Sequence, residues 1–392
     1  MMKTRELLPE NWGLLYAAFA FSQGIGLLGY WALPLSAGAL VAGLGLSATQ
    51  VGLLGTIEFS GLFITSFLLA NFVDRGYRRR AAMLSVAVVI GANLVCGFVS
   101  MEFTMLAVVR FINGLGAGLA LAVGNATIAN ARDAEKFSSH LTVMLVAFMV
   151  VIMPALSRFS DSFGYQGVFL ALAGTILIGA ISILFLPDGP DETLAAEVQS
   201  DSGADVGLLS YLAIMVLAIA LMFGARGTLP WLVTEQLGID AGMTTPEVGN
   251  LFSLMYAVSI LGPGLLLFVS RVAGPRTILF WSLLIAGFFN WMFTVSDGNA
   301  MQFSIGVVIW ATIYFMAFAQ LNAVAAMADR KGRLASAVGS AFIAGVTIAP
   351  FIGGSIVDWG GYTWLGNAEI TLTILISIAV LMGIPRQLAD NK

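Results

Sequence analysis

The sequence has one cysteine, Cys96, so no disulfide can form within the chain. It has one histidine, His140, which excludes a multi-histidine metal site in a single copy. No Gly-x-x-x-x-Gly-Lys-Ser/Thr loop is present, so direct use of ATP has no support. Charge is scarce above all. Only 10% of residues are Asp, Glu, Lys or Arg, against about 25% in soluble proteins. That is too few to cover a water-facing surface. What fills the chain instead is apolar: 59% of the 392 residues, with a mean hydropathy of +0.93. At about 20 residues per span, this length holds roughly twelve membrane helices with short loops. The apolar stretch that follows the charged start is too long for a signal-peptide core and reads as the first span.

The expected spans are helix 1 over about 12–42, helix 2 over 49–72, helix 3 over 81–100, helix 4 over 103–130, helix 5 over 139–159 and helix 6 over 165–186. A polar segment, 187–206, carries Asp188, Asp191, Glu192, Glu197, Asp201 and Asp205 and reads as a solvated linker. Helices 7 to 12 begin near Gly207, Pro246, Thr277, Met301, Leu334 and Asn367. The domain expectation is a first bundle over 1–186, the linker, and a second bundle over 207–392.

Two patterns support twelve spans. Basic residues cluster before helix 1, after helices 2, 4, 8 and 10, and at the chain end, all on one side for an even count of this kind. Lys and Arg stay cytoplasmic during insertion, which puts both termini in the cytoplasm. The second half also repeats the first. Leu33-Pro34 recurs as Leu229-Pro230 and Pro154 as Pro350, each 196 residues on; Val51-Gly52 recurs as Val248-Gly249 and Gly164-Tyr165 as Gly361-Tyr362, each 197 on. Phe72-Val73-Asp74-Arg75 returns as Phe268-Val269-Ser270-Arg271. A chain of two related six-helix halves is a duplicated transporter architecture.

The hairpin between helices 2 and 3, Asp74-Arg75-x-x-Arg78-Arg79, resembles the corresponding loop of the major facilitator superfamily. Helix 4, with Arg110-x-x-x-Gly114-x-Gly116, is similar to that family's helix 4 pattern. The acidic linker and the duplication extend the resemblance over nearly the whole chain. Helix 5 departs from the family's antiporter signature: Pro154 is kept, but Ser157 and Arg158 stand in place of paired glycines. The resemblance implies an all-α membrane protein with the family's fold, twelve helices in two pseudo-symmetric bundles, working by alternating access. It implies a central cavity lined by helices 1, 4, 7 and 10. It also implies that Asp74 caps helix 11, and that Arg75 and Arg78 pair with acids at the end of helix 4, where Asp133 and Glu135 stand. Such a cluster would gate the cytoplasmic side; the alternative is a loop that serves orientation only.

Glu58 reads as the only acid near mid-membrane, and an ionisable group there marks function by default. A carboxyl balanced between burial and a nearby cation can load and release a proton. Arg110 lies at similar depth, and a fixed Glu58–Arg110 pair is the competing reading. Arg226 lies four residues before Pro230, as Tyr30 lies four before Pro34. If it faces the cavity, its guanidinium suits a carboxylate, phosphate or sulfonate; otherwise it snorkels to the surface. Gln23, Tyr30 and Trp31 on helix 1, Asn113 on helix 4, and Trp310, Tyr314 and Gln320 on helix 10 suit an organic molecule of moderate size, although packing is the commoner role of any one aromatic. The function expected is a secondary transporter of a small organic solute, coupled to protons, with an organic anion favoured. The alternative is a multidrug or metabolite efflux antiporter, and more remotely a non-transporting receptor or membrane enzyme. The expected setting is the inner membrane, multi-pass, with a monomer, no cofactor, no metal and no nucleic-acid partner.

Overall fold

The computed structural model describes residues 11–73, 77–129, 134–187, 210–329 and 333–385. Nine of the described helices are long and apolar enough to cross a membrane, and two of these, Ser139–Phe185 and Ala337–Gly383, run for 47 residues each. A straight helix of that length would extend about 70 Å, more than twice a hydrocarbon core of about 30 Å. Each long helix is broken into two at a glycine with positive φ, Gly164 at 63° and Gly361 at 76°. Only glycine adopts that conformation without strain. Both long elements are therefore pairs of spans, and the corners fall at the repeated Gly-Tyr dipeptide.

The remaining span is the first. α1 is broken into Trp12–Phe19, a π-helical segment Ala20–Gly26, a turn Leu28–Trp31 and Leu33–Leu44. None of its pieces reaches spanning length alone, so the continuous helix expected over 12–42 is segmented. Gly24 and Gly26 lower the helical preference in the π segment. Pro34 lacks the N–H that would bond back to Tyr30.

The chain then forms α2 (Ala48–Val73), α3 (Arg78–Phe98), α4 (Phe103–Ala129), α5 and α6 on either side of Gly164 in Ala134–Ala180, and a short 3-10 turn, Ile181–Phe185. The second half supplies α7 (Tyr211–Trp231, continued as Thr234–Asp240), α8 (Thr245–Ser259 and Leu261–Val269), α9 (Pro275–Thr294), α10 (Ala300–Ala328), and α11 and α12 on either side of Gly361 in Arg333–Gly383. Side chains cap several starts: Asn11 accepts from the Leu14 N–H at 2.9 Å, Asn299 from Gln302 at 3.0 Å, and Thr244 with Glu247 closes a capping box. The expected linker, 187–206, lies outside the described residues from 188 on.

Two compact units are present. The first comprises Met1–Ala32, Ile57–Phe148 and Phe169–Ser200; the second comprises Leu33–Thr56, Met149–Val168 and Asp201–Lys392. In the first, Gly114 and Gly118 of α4 face the backbone of Glu58 and Leu62 on α2 with no room for a Cβ. The helix 4 glycines thus serve close helix approach. In the second, small residues do the same: Gly52 lies against the Pro350 carbonyl and Gly354 against that of Ala48.

Candidate functional site

The first unit holds a closed polar ring inside otherwise apolar spans. Glu58 of α2 is 6% exposed and Arg110 of α4 is 5% exposed. Arg110 donates to Glu58 Oε2 through Nε at 3.0 Å and Nη2 at 2.5 Å. Asn113, one helical turn on, donates to Glu58 Oε1 at 2.7 Å. Asn93 of α3 donates to Asn113 Oδ1 at 2.9 Å and accepts from Arg110 Nη1 at 3.3 Å. The guanidinium also lies over the Phe169 ring, 5.0 Å from its centroid. The pairing reading for Glu58 and Arg110 is therefore the observed one. Every bond that Glu58 makes here is accepted, from three donor groups. The ring fits a carboxylate, and a proton on Glu58 would need Arg110 or Asn113 to leave. Asn113, expected at the solute, spends its amide within this ring. Asn93 was missed by sequence reasoning.

Beside the ring, a Cβ on Gly29 of α1 would run into Glu58 Oε1, so the missing side chain leaves room for the carboxylate. The helix 1 candidates gather here. Trp31 Nε1 donates to Gln23 Oε1 at 3.2 Å, and Tyr30 stands edge-on to Trp31 and Phe59 with centroids 4.9 and 6.2 Å away. Gln23 and Trp31 remain partly exposed, and Gln23 sits in the π-helical segment. Such segments are frequent at functional sites.

The second unit has its own buried polar cluster. Arg226 of α7 is fully buried. Its Nη1 donates to the Leu283 carbonyl on α9 at 3.1 Å, and its guanidinium lies over Phe223 at 5.2 Å. Arg226 Nε and Nη2 have no hydrogen-bond partner among the described residues. Glu369 of α12, fully buried, lies within electrostatic reach of Arg226. The only ion pair among the described residues is Glu58–Arg110. Tyr314 stacks on Phe223 at 4.6 Å and packs on Trp310 at 5.4 Å. Gln320 is buried further along α10. Glu58 is not the only acid buried inside the protein: Glu369 is 0% exposed and Glu235 of α7 is 2% exposed. Glu235 Oε2 has no hydrogen-bond partner among the described residues and fits only because Gly38 of α1 lacks a Cβ.

One end of the second unit is latched. Asp358, at the end of α11, accepts from the Ala48 and Thr49 N–H groups at 3.2 and 2.8 Å, capping α2. The Phe351 N–H donates to Thr56 Oγ1 at 3.1 Å, and Ser253 of α8 donates to the Val150 carbonyl of α5 at 2.7 Å. A cavity of about 270 Å³ lies under this end, lined by Ala37, Val51, Val233, Gln236, Asp358 and Tyr362 among others. At the expected gate, Arg78 is buried and Arg79 donates to the Leu186 carbonyl at 2.7 Å. Asp74, Arg75 and Asp133 lie outside the described residues, as does the side chain of Glu135. Among the described residues no group of His, Cys, Asp and Glu could hold a metal.

Comparison with known proteins bears on the whole arrangement. The family model described as Major Facilitator Superfamily matches residues 19–328. "Multidrug resistance protein MdtL" of Klebsiella pneumoniae subsp. pneumoniae is 24% identical over 253 residues, covering 62% of this chain and 63% of that protein. The protein of the same name from Citrobacter koseri is 22% identical over 356 residues, covering 86% and 89%. In structure the chain is similar to a mutant of the nucleoside transporter NupG (TM-score 0.73, 12% identity, covering 96% of this chain and 100% of that one). It is similar to a D-xylose–proton symporter to the same degree (TM-score 0.73, 11% identity, covering 95% and 97%).

Proposed function

The chain belongs to the Major Facilitator Superfamily, and on that premise we propose that it is a proton-coupled efflux transporter for organic solutes of moderate size in the inner membrane, with both termini in the cytoplasm. We take the two halves, 1–186 and 207–392, as its bundles and 187–206 as their cytoplasmic linker. The family and fold are those of transporters rather than enzymes. The observation that carries the coupling is the Glu58–Arg110 pair, buried within apolar spans and closed into a ring by two asparagines. Ionisable groups inside spans are expensive to place and mark ion pathways. Protonating Glu58 removes the charge that holds Arg110, so proton uptake is tied to opening of the α2–α4 ring. Efflux is favoured by the likeness to proteins named for multidrug resistance. Gln23, Tyr30, Trp31, Trp310, Tyr314 and Gln320 are kept as candidates for solute contact, for their aromatic faces and amides. The gate at Asp74, Arg75, Arg78, Asp133 and Glu135 keeps its proposed role on the cytoplasmic side.

The test is transport by purified protein in proteoliposomes, across a solute panel, with and without an imposed pH gradient. Counterflow that becomes concentrative only with the gradient is the expected result. A panel without counterflow sinks the transporter reading for those solutes.

A second reading, an organic-anion carrier, is kept alive by the two Arg226 nitrogens that have no hydrogen-bond partner among the described residues. Against it stands Glu369, an acid already within reach of Arg226. Binding of a carboxylate ligand and its amide to wild type and Arg226→Gln decides between them. The anion reading expects loss for the acid alone, by roughly 2–5 kcal/mol for a desolvated pair. The efflux reading expects equal small changes for both.

A further inference from the structure

The two buried polar clusters differ in chemistry, and the difference concerns which protonation state each can hold. Glu58 meets donors only. Glu369 meets a mixed set. The Thr294 hydroxyl lies 3.2 Å from Glu369 Oε2 and 2.8 Å from the Asn290 carbonyl oxygen. A hydroxyl has one hydrogen. If it goes to the nearer carbonyl, the Thr294 lone pair faces Glu369 Oε2, and that contact is favourable only when the carboxyl carries a proton. If it turns to Glu369, a carboxylate is served instead. Glu369 Oε1, both amide atoms of Asn290, and the Thr373 hydroxyl are buried and have no hydrogen-bond partner among the described residues. Thr373 stands one helical turn after Glu369 on α12, and Asn290 one turn before Thr294 on α9; the Asn290 amide and the Thr373 hydroxyl each offer a donor and an acceptor, so the cluster holds complements for either state of the carboxyl. Buried polar atoms of this kind cost about 1–3 kcal/mol each when left unmet. Six gathered across three helices, counting Arg226 Nε and Nη2, mark a site rather than a packing fault.

The repeat supports this placement. Asn290 of α9 is 197 residues after Asn93 of α3, the shift that relates the Gly-Tyr corners. The same position thus carries a buried asparagine in both clusters, closed within a ring in one and open in the other.

We propose that Glu369 is a second proton-binding residue, in a cluster formed by α7, α9, α10 and α12, and that it loads and releases a proton during the cycle. Its role in coupling rests on the transport reading above; proton binding itself does not. The proton comes from water and returns to water, with no other bond made or broken. The titratable and charged groups facing Glu369 are few. α7 contributes Arg226 and α10 contributes Tyr314 near that guanidinium. α9 presents Asn290 and Thr294, neither of which titrates in water. Arg226 keeps its charge throughout, and it favours the ionised form of Glu369 when the proton leaves.

Infrared difference spectra of the full-length protein in lipid, recorded against pH, test the proposal without any solute. The expected result is a protonated-carboxyl absorption that grows as pH falls and contains one component that is lost in Glu369→Gln and kept in Glu58→Gln. Asn290→Leu removes one donor and one acceptor and should move the midpoint by about tenfold in proton concentration. If Glu369→Gln does not fold, Glu369→Asp should shift the band's frequency or midpoint. A band unchanged in either Glu369 variant, or no band that follows pH, overturns the proposal. Counterflow in proteoliposomes separates the two readings: a Glu369 band without counterflow leaves the site standing and removes transport, and counterflow without the band does the reverse.

Discussion

At Glu58, the residue scale gives a prediction with two parts. The carboxylate meets Arg110 Nε and Nη2 and the Asn113 amide, all donors. Glu58→Gln keeps the shape but places an NH2 where an acceptor stood, and it leaves a guanidinium buried without its counter-charge. Breaking one side of a buried pair typically destabilises by about 3–5 kcal/mol. Thermal unfolding of Glu58→Gln in detergent should therefore fall well below wild type, and Arg110→Met added to it should recover part of the loss. In proteoliposomes the single variant should lose gradient-driven accumulation while retaining exchange. Accumulation at the wild-type level would make Glu58 purely structural. Part of this was legible from the sequence, because an acid and an arginine inside apolar runs have few partners other than each other. The asparagines were not, since an amide in a span signals neither its direction nor its partner. Glu369 was hidden by a boundary. Starting helix 12 near Asn367 put it at a helix end, whereas the chain turns at Gly361 and Glu369 lies two turns inside α12. The repeat carries the start of helix 6 at Tyr165 to Tyr362, which places Glu369 inside helix 12.

At the scale of elements, the cap on α2 is the contact most open to test. Asp358 accepts from the first two N–H groups of α2, which carry the partial positive charge of that helix end. The same unit is also joined by Ser253 to Val150 and by the Phe351 N–H to Thr56, two turns inside α2. Asp358→Ala leaves the other contacts in place and removes one cap, an effect of about 0.5–2 kcal/mol. One to two kcal/mol changes a two-state ratio by about 5- to 30-fold. A cysteine introduced by Val51→Cys, at a buried wall of the cavity, should then react with a water-soluble thiol reagent several-fold faster in the Asp358→Ala background. Equal rates would mean that the cap contributes nothing to closure of this end. Cys96 is buried and should contribute little background. Element lengths were legible from apolar runs, and the corners from glycine. The segmentation of α1 was not, because a π turn changes the bonding register without changing which residues are apolar.

The whole molecule depends on counting spans. Hydropathy alone runs through the two 47-residue stretches without a break, and their division into pairs of spans rests on length and on the corner within each. Two repeat positions resolve it: the prolines Pro154 and Pro350 inside their helices, and the corners Gly164 and Gly361 with positive φ. With α1 included, the count reaches twelve, which is even and returns the chain to the side where it began. Parity then fixes where each loop must lie. Tyr77, between α2 and α3, and Gly332, between α10 and α11, belong on the side of the termini, and Asp297, between α9 and α10, belongs on the other. On the orientation proposed above, the arginines around the first two loops put that side in the cytoplasm. Single cysteines placed by Tyr77→Cys, Gly332→Cys and Asp297→Cys should divide accordingly. An impermeant reagent added to intact cells should label the Asp297 variant and spare the other two until the membrane is opened. If the Tyr77 and Gly332 variants label from opposite sides, one of the glycine corners is not a membrane turn. The twelve-span topology and the inferred side of the linker would then fall together, because an error of one span inverts every loop that follows it.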